Sequence, residues 1–140
     1  MHEEDREPED QRRRRSRFAL AAVMLGTGTL HFVVPRFYEQ LIPDALPGGP
    51  RAWVYGSGVA ELAAGALLVD RRTERLGAWA TFAVFVGVWP GNIHDAIQHP
   101  PTDARGIGSL IRLPMQIPLF LWALRHTRPE AQAQTRDATS

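Results

Sequence analysis

Four apolar stretches, each holding residues that hydrocarbon rejects, constrain this chain more than any other feature of its sequence. They run over Phe18–Pro35, Trp53–Val69, Leu76–Ile97 and Ile107–Leu124. A helix rising 1.5 Å per residue needs about 20 residues to cross a bilayer, with about 17 as a lower limit, and each stretch is long enough. The segments AWVYGSGVAELAAGALLV and LGAWATFAVFVGVW are apolar all round, whereas a soluble bundle would show a polar face at a 3.6-residue period. Pro90 interrupts the third stretch and is the main feature favouring the soluble alternative. The expected fold is all-α, a four-transmembrane-helix bundle with short polar disordered tails.

The mean hydropathy of −0.21 conceals this pattern because the ends are polar. Residues 1–17 (MHEEDREPEDQRRRRSR) read as an Arg-rich cytoplasmic tail and residues 127–140 as a second tail, flanking a membrane domain over 18–126. Neither end has enough apolar surface to offset the entropy of ordering. The chain has no cysteine, which removes disulfides, thiolate nucleophiles and Cys-ligated zinc. The Arg12–Arg15 run with Arg17 is a topogenic signal and a contact for anionic lipid. Nothing base-reading accompanies it, so no nucleic-acid partner is expected. It also imitates a secretory signal, but three further apolar stretches follow and no convincing cleavage site does.

Arginines orient the bundle. Arg12–Arg15 and Arg17, then Arg71, Arg72 and Arg75, then Arg125 and Arg128 mark alternate connections, while the other two connections are sparser. By the positive-inside rule both termini are cytoplasmic, and the expected location is a bacterial inner (plasma) membrane, crossed several times. Trp53, Tyr55, Tyr38, Trp89 and Trp122 fall near span ends, as interfacial aromatics do.

With that topology, the polar residues of all four spans converge on the outer half. His31 lies in the last turn of the first span, Glu61 about 12 Å down the second, Asn92, His94 and Asp95 near the outer end of the third, and Arg112 and Gln116 in the first turns of the fourth. Ionisable groups at membrane depth face the bundle interior or a cavity and are functional candidates by default. Glu61 must take up a proton or find a cation, and Arg112 is the expected partner in one shared pocket. Whether such a bridge moves protons or only sets helix register is left open. His31 and His94 raise haem or a metal, but without a Glu-x-x-His motif or a second His on either helix neither is expected. Gly26, Gly28, Gly56, Gly58, Gly65 and Gly77 supply small-residue surfaces for close helix approach, and Pro90, Pro114 and Pro118 free carbonyls inside spans.

Gly26-x-Gly28-x-x-His31-Phe32, the loop prolines Pro43 and Pro47, Trp53-Val54-Tyr55-x-Ser57-Gly58-Val59-x-Glu61, Trp89-Pro90-x-Asn92 and Arg112-Leu113-Pro114-x-Gln116 follow in order. Together they resemble the small DoxX-like membrane proteins over about residues 18–124. The resemblance implies a four-helix bundle of the bacterial inner membrane, with relatives that serve in quinone-linked complexes or associate with soluble redox-defence proteins. It puts forward His31, Glu61, Asn92, Arg112 and Gln116 as site residues; His94 and Asp95 rest on the topology alone. The fold also resembles vitamin K epoxide reductase, whose cysteine chemistry this chain cannot perform.

Two main functions compete. One is an accessory or anchoring subunit of a quinone-linked redox complex. The other is a quinone- or lipid-ring-handling oxidoreductase subunit in which Glu61 carries the proton and electrons come from a partner. A small proton-coupled transporter is less well supported, since the inner half of the spans offers no polar path. A quinone is the cofactor considered; homo-oligomerisation and catalytic status are open.

Overall fold

The computed structural model describes residues 3–128, with side chains from Pro8 onward. Five helices and no strand are present among them: α1 (Glu3–Val33), α2 (Pro35–Glu39), α3 (Pro50–Val69), α4 (Glu74–Gln98) and α5 (Ala104–His126). α1 from Pro8, and the whole of α3, α4 and α5, are long and apolar enough to cross a membrane. Their outward surfaces agree with lipid contact, since Val59, Leu76, Ile97 and Leu121 all stand more than half exposed.

Local chemistry sets the boundaries. Pro35 disfavours helical backbone at Val34, which turns to φ −129°, ψ 55° and separates α1 from α2. Pro50 opens α3 at a position that needs no N–H donor. Asp103 caps α5 by accepting a hydrogen bond from the Gly106 N–H at 2.8 Å. Pro100 ends α4 by forcing His99 out of helical geometry.

Three expectations change. α4 runs unbroken through Pro90, because a proline inside a long helix removes one hydrogen bond without ending it when neighbouring helices hold both halves. The connection between α1 and α3 contains the extra short helix α2. Residues 3–17, expected to be part of a disordered tail, continue α1: Glu, Gln and Arg are good helix formers, and two of the arginines find a buried partner. Of the C-terminal tail expected over 127–140, residues 129–140 lie outside the described residues, and Thr127 caps α5.

The closest pairings follow chain order, α1 with α3, α3 with α4 and α4 with α5, while α1 meets α5 at few points. Gly28 and Gly58 bring α1 onto α3. A Cβ on Gly28 would lie 3.0 Å from the Gly58 carbonyl oxygen, and one on Gly58 would lie 2.7 Å from the Phe32 ring. Gly65 and Gly77 also lie against neighbouring helices, but Gly26 and Gly56 face open space.

The interior is divided lengthwise. At the end carrying the start of α1 and the close of α5 (the terminal end), Leu20, Met24, Ala64, Leu68, Ala78 and Ala123 form an apolar core. Toward the α2 end the buried residues are largely polar: His31, Glu61, Asn92, Asp95, Ser109 and Gln116.

Candidate functional site

The polar interior at the α2 end contains two ionic groups. The first joins α1 to α3. His31 Nδ1 lies 2.8 Å from the Thr27 carbonyl; a carbonyl only accepts, so Nδ1 carries the hydrogen. His31 Nε2 lies 3.6 Å from Glu61 Oε1, which also accepts from the Ser57 hydroxyl at 3.5 Å. With Nδ1 protonated, attraction between Nε2 and the carboxyl requires one more proton on the pair, on either partner. The other Glu61 oxygen, Oε2, is buried with no hydrogen-bond partner. The nearby Thr27 hydroxyl gives its proton to the Val23 carbonyl at 2.8 Å. Tyr38 of α2 stacks on the His31 ring with centroids 3.8 Å apart.

The second group joins α4 to α5. Asp95 is 2 % exposed and fully occupied. The Ser109 hydroxyl donates to Oδ2, Arg105 Nη2 lies 3.3 Å from Oδ1, Arg112 Nη1 lies 3.5 Å from Oδ2, and His99 Nδ1 lies 3.2 Å from Oδ1. One helical level deeper, Gln116 Nε2 donates to the Phe85 carbonyl at 3.0 Å and its Oε1 accepts from Asn92 Nδ2 at 3.4 Å. Gln116 thereby ties α5 to α4 on both sides of Pro90, at Phe85 before it and Asn92 after it. Beside Asp95 opens a cleft of about 490 Å³, lined by Phe37, Leu41, Arg105, Ser109 and Arg112 among others.

The anticipated Glu61–Arg112 bridge is therefore corrected. Arg112 pairs with Asp95 because α5 packs on α4, whereas Glu61 sits at the α1–α3 contact. Tyr38 lies between the two groups, its hydroxyl in the fields of both Glu61 and Arg112. Burial pushes the Tyr38 hydroxyl above its usual range, the Glu61 charge adds to this, and Arg112 opposes it. The turn that follows α2 lies close against α4, with a Cβ on Gly91 falling 2.9 Å from the Leu41 carbonyl oxygen. His94 is half-buried and makes no hydrogen bond or ion pair among the described residues.

A third group, at the terminal end, was not legible from sequence. Glu74, opening α4, accepts from Arg13 at 3.3 Å and Arg17 at 3.4 Å, and His126 Nδ1 lies 2.9 Å from the same carboxylate. Ser16 bridges outward, 3.1 Å from His126 Nε2 and accepting from the Trp122 indole at 2.8 Å. The four-residue spacing of Arg13 and Arg17 on one helix face was the available signal. It was masked because DRRTER reads first as a basic connection. The spans are thus not apolar throughout their terminal half.

No group of three or more His, Asp or Glu able to hold a metal ion occurs among the described residues. No curated protein and no solved structure matches the chain. Residues 20–127, which take in α1 from Leu20, the whole of α3, α4 and α5 and both ionic groups at the α2 end, match the family described as a domain of unknown function, DUF8561, and the chain belongs to that family.

Proposed function

We propose that this protein is an accessory four-span subunit of a quinone-linked membrane redox system, with both termini cytoplasmic, and that it holds the hydroxylated ring of a quinol at Glu61. The carrying observation is the unpartnered Glu61 Oε2, an acceptor buried between apolar helices. Such an atom is expensive to leave unsatisfied, by about 1–3 kcal/mol, and a ring hydroxyl supplies the missing donor. Asp95 has no such vacancy, which assigns it to holding α4 against α5. The resemblance to DoxX-like proteins supports the quinone class, and the exposed apolar side chains of α1 and α3, among them Phe32 and Val59, suit a lipid-soluble ring. When bound, the quinone group supplies two-electron redox chemistry. The residues of this chain do the rest: Glu61 orients the hydroxyl, His31 shares a proton with Glu61, and Tyr38 shields the pair on the α2 side.

A second reading is that His31 and Glu61 only fix the register of α1 on α3, which the Gly28–Gly58 approach favours by setting the two side chains together. Mass spectrometry of lipids copurifying with the chain and with Glu61→Gln separates the two. The quinol reading expects a ring lipid enriched over bulk membrane extract and at least about fivefold depleted in Glu61→Gln at equal protein yield. If no ring lipid is enriched, or if only yield and thermal stability fall, the quinol reading is wrong.

A further inference from the structure

Where the first turns of α1 pass the α3–α4 connection, the terminal end carries a cleft of about 850 Å³ lined by Arg13, Arg14, Arg17, Phe18, Val69 and Arg71, with Asp10, Asp70 and Glu74 also on its walls. From this cleft we infer that the protein binds one anionic phospholipid by its phosphate. The inference rests on the membrane setting of the helices and is independent of the quinol reading.

Charge comes first. Glu74 is one carboxylate shared by two guanidinium groups, both at hydrogen-bond distances beyond 3.2 Å. The Nε atoms of Arg13 and Arg17 are buried without acceptors. Arg13 also donates to the Arg128 carbonyl at 3.0 Å and Asp10 stands on the same wall, so the guanidinium that the cleft presents outward is that of Arg14. Asp70 is committed to its own turn, accepting from the Arg72 N–H at 2.9 Å. Arg14 is exposed and reaches neither Glu74 nor Asp70, so it is the arginine most open to a ligand.

Shape and polarity come second. Arg14 and Arg17 both lie over the Phe18 ring, at 5.6 Å and 5.0 Å from its centroid. Phe18 and Val69 are exposed, at 38 % and 47 %. The cleft is thus cationic along Arg13, Arg14 and Arg17 and apolar at Phe18 and Val69, where α1 and α3 enter the spans. A phosphodiester with acyl chains matches that gradient, whereas free phosphate would leave the apolar side uncovered. Arginine near a membrane surface attracts anionic lipid with an energy equivalent to about fivefold in binding per residue.

The test is native mass spectrometry of the full chain released from nanodiscs holding equal phosphatidylglycerol and phosphatidylcholine. Phosphatidylglycerol should be retained over phosphatidylcholine by about fivefold or more, and 10 mM inorganic phosphate should leave that ratio unchanged. Arg14→Gln, which touches no buried partner, should reduce the ratio about fivefold with the melting temperature preserved; Arg17→Gln should reduce it too but also destabilise the fold. Equal retention of the two lipids, displacement by inorganic phosphate, or an unaltered ratio in Arg14→Gln would each overturn the assignment.

Discussion

Arg112 stands 3.5 Å from Asp95, through Nη1 and Oδ2, and makes no pair with Glu61. This single pairing divides the polar interior at the α2 end. Asp95 is neutralised by the helix that follows it, and Glu61 is left to a histidine and a serine on the α1–α3 side. The two groups consequently respond differently to substitution.

Asp95→Asn should lower stability by about 2 kcal/mol, because it removes charge-assisted hydrogen bonds from Ser109, Arg105 and Arg112 at once. Arg105 and Arg112 are 42 % and 34 % exposed as side chains, so water recovers part of their solvation and the loss stays below that of a fully buried pair. Thermal unfolding in detergent measures it. A melting temperature equal to that of the parent chain would show that the Asp95 group is not structural.

The α1–α3 contact predicts a contrast within one helix. Gly58→Leu should separate α1 from α3 and reduce stability by about 1–3 kcal/mol, as overpacking does. Gly56→Leu, two residues away with nothing within 4 Å, should be near neutral. A cysteine introduced on each helix at lipid-facing positions would report the separation by spin-label distance, and equal effects of the two substitutions would refute the packing assignment.

Glu74→Gln should destabilise by about 3 kcal/mol, since it leaves Arg13 and Arg17 without their carboxylate. Combining it with Arg17→Gln should restore part of that loss, giving a double-mutant coupling of about 1 kcal/mol or more. Additive effects would show that the two side chains are close in space but energetically independent, and would remove the terminal group from the account of stability.

Tyr38 makes a pH prediction. Its pKa is raised in the folded protein, first by burial and then by Glu61, above the ordinary value of 10.0. The folded state therefore holds the phenolic proton more tightly than the unfolded chain does. The stability this contributes is complete below about pH 10 and declines as pH rises through the folded value. Tyrosinate absorbance of the parent minus that of Tyr38→Phe isolates this group from Tyr55. Glu61→Gln should shift the difference curve to lower pH and Arg112→Gln to higher pH. Unmoved curves would place α2 away from both groups.

Sequence legibility followed the range of the forces involved. Hydropathy along the chain marked the four spans but not the polar first half of α1, and Pro35, Pro50 and Pro100 stand at helix ends because turn chemistry acts over a few residues. The clustering of His31, Glu61, Asn92, Asp95 and Gln116 toward one end of the bundle was also legible, since depth along a helix is a matter of residue count. Which helix stands beside which was not. Glycine contacts such as Gly28 on Gly58, and the seating of α5 on α4, decided that Arg112 meets Asp95 and that Arg13 and Arg17 meet Glu74. Those outcomes depend on the complementarity of surfaces far apart in the chain, a property that exists only once the helices have packed.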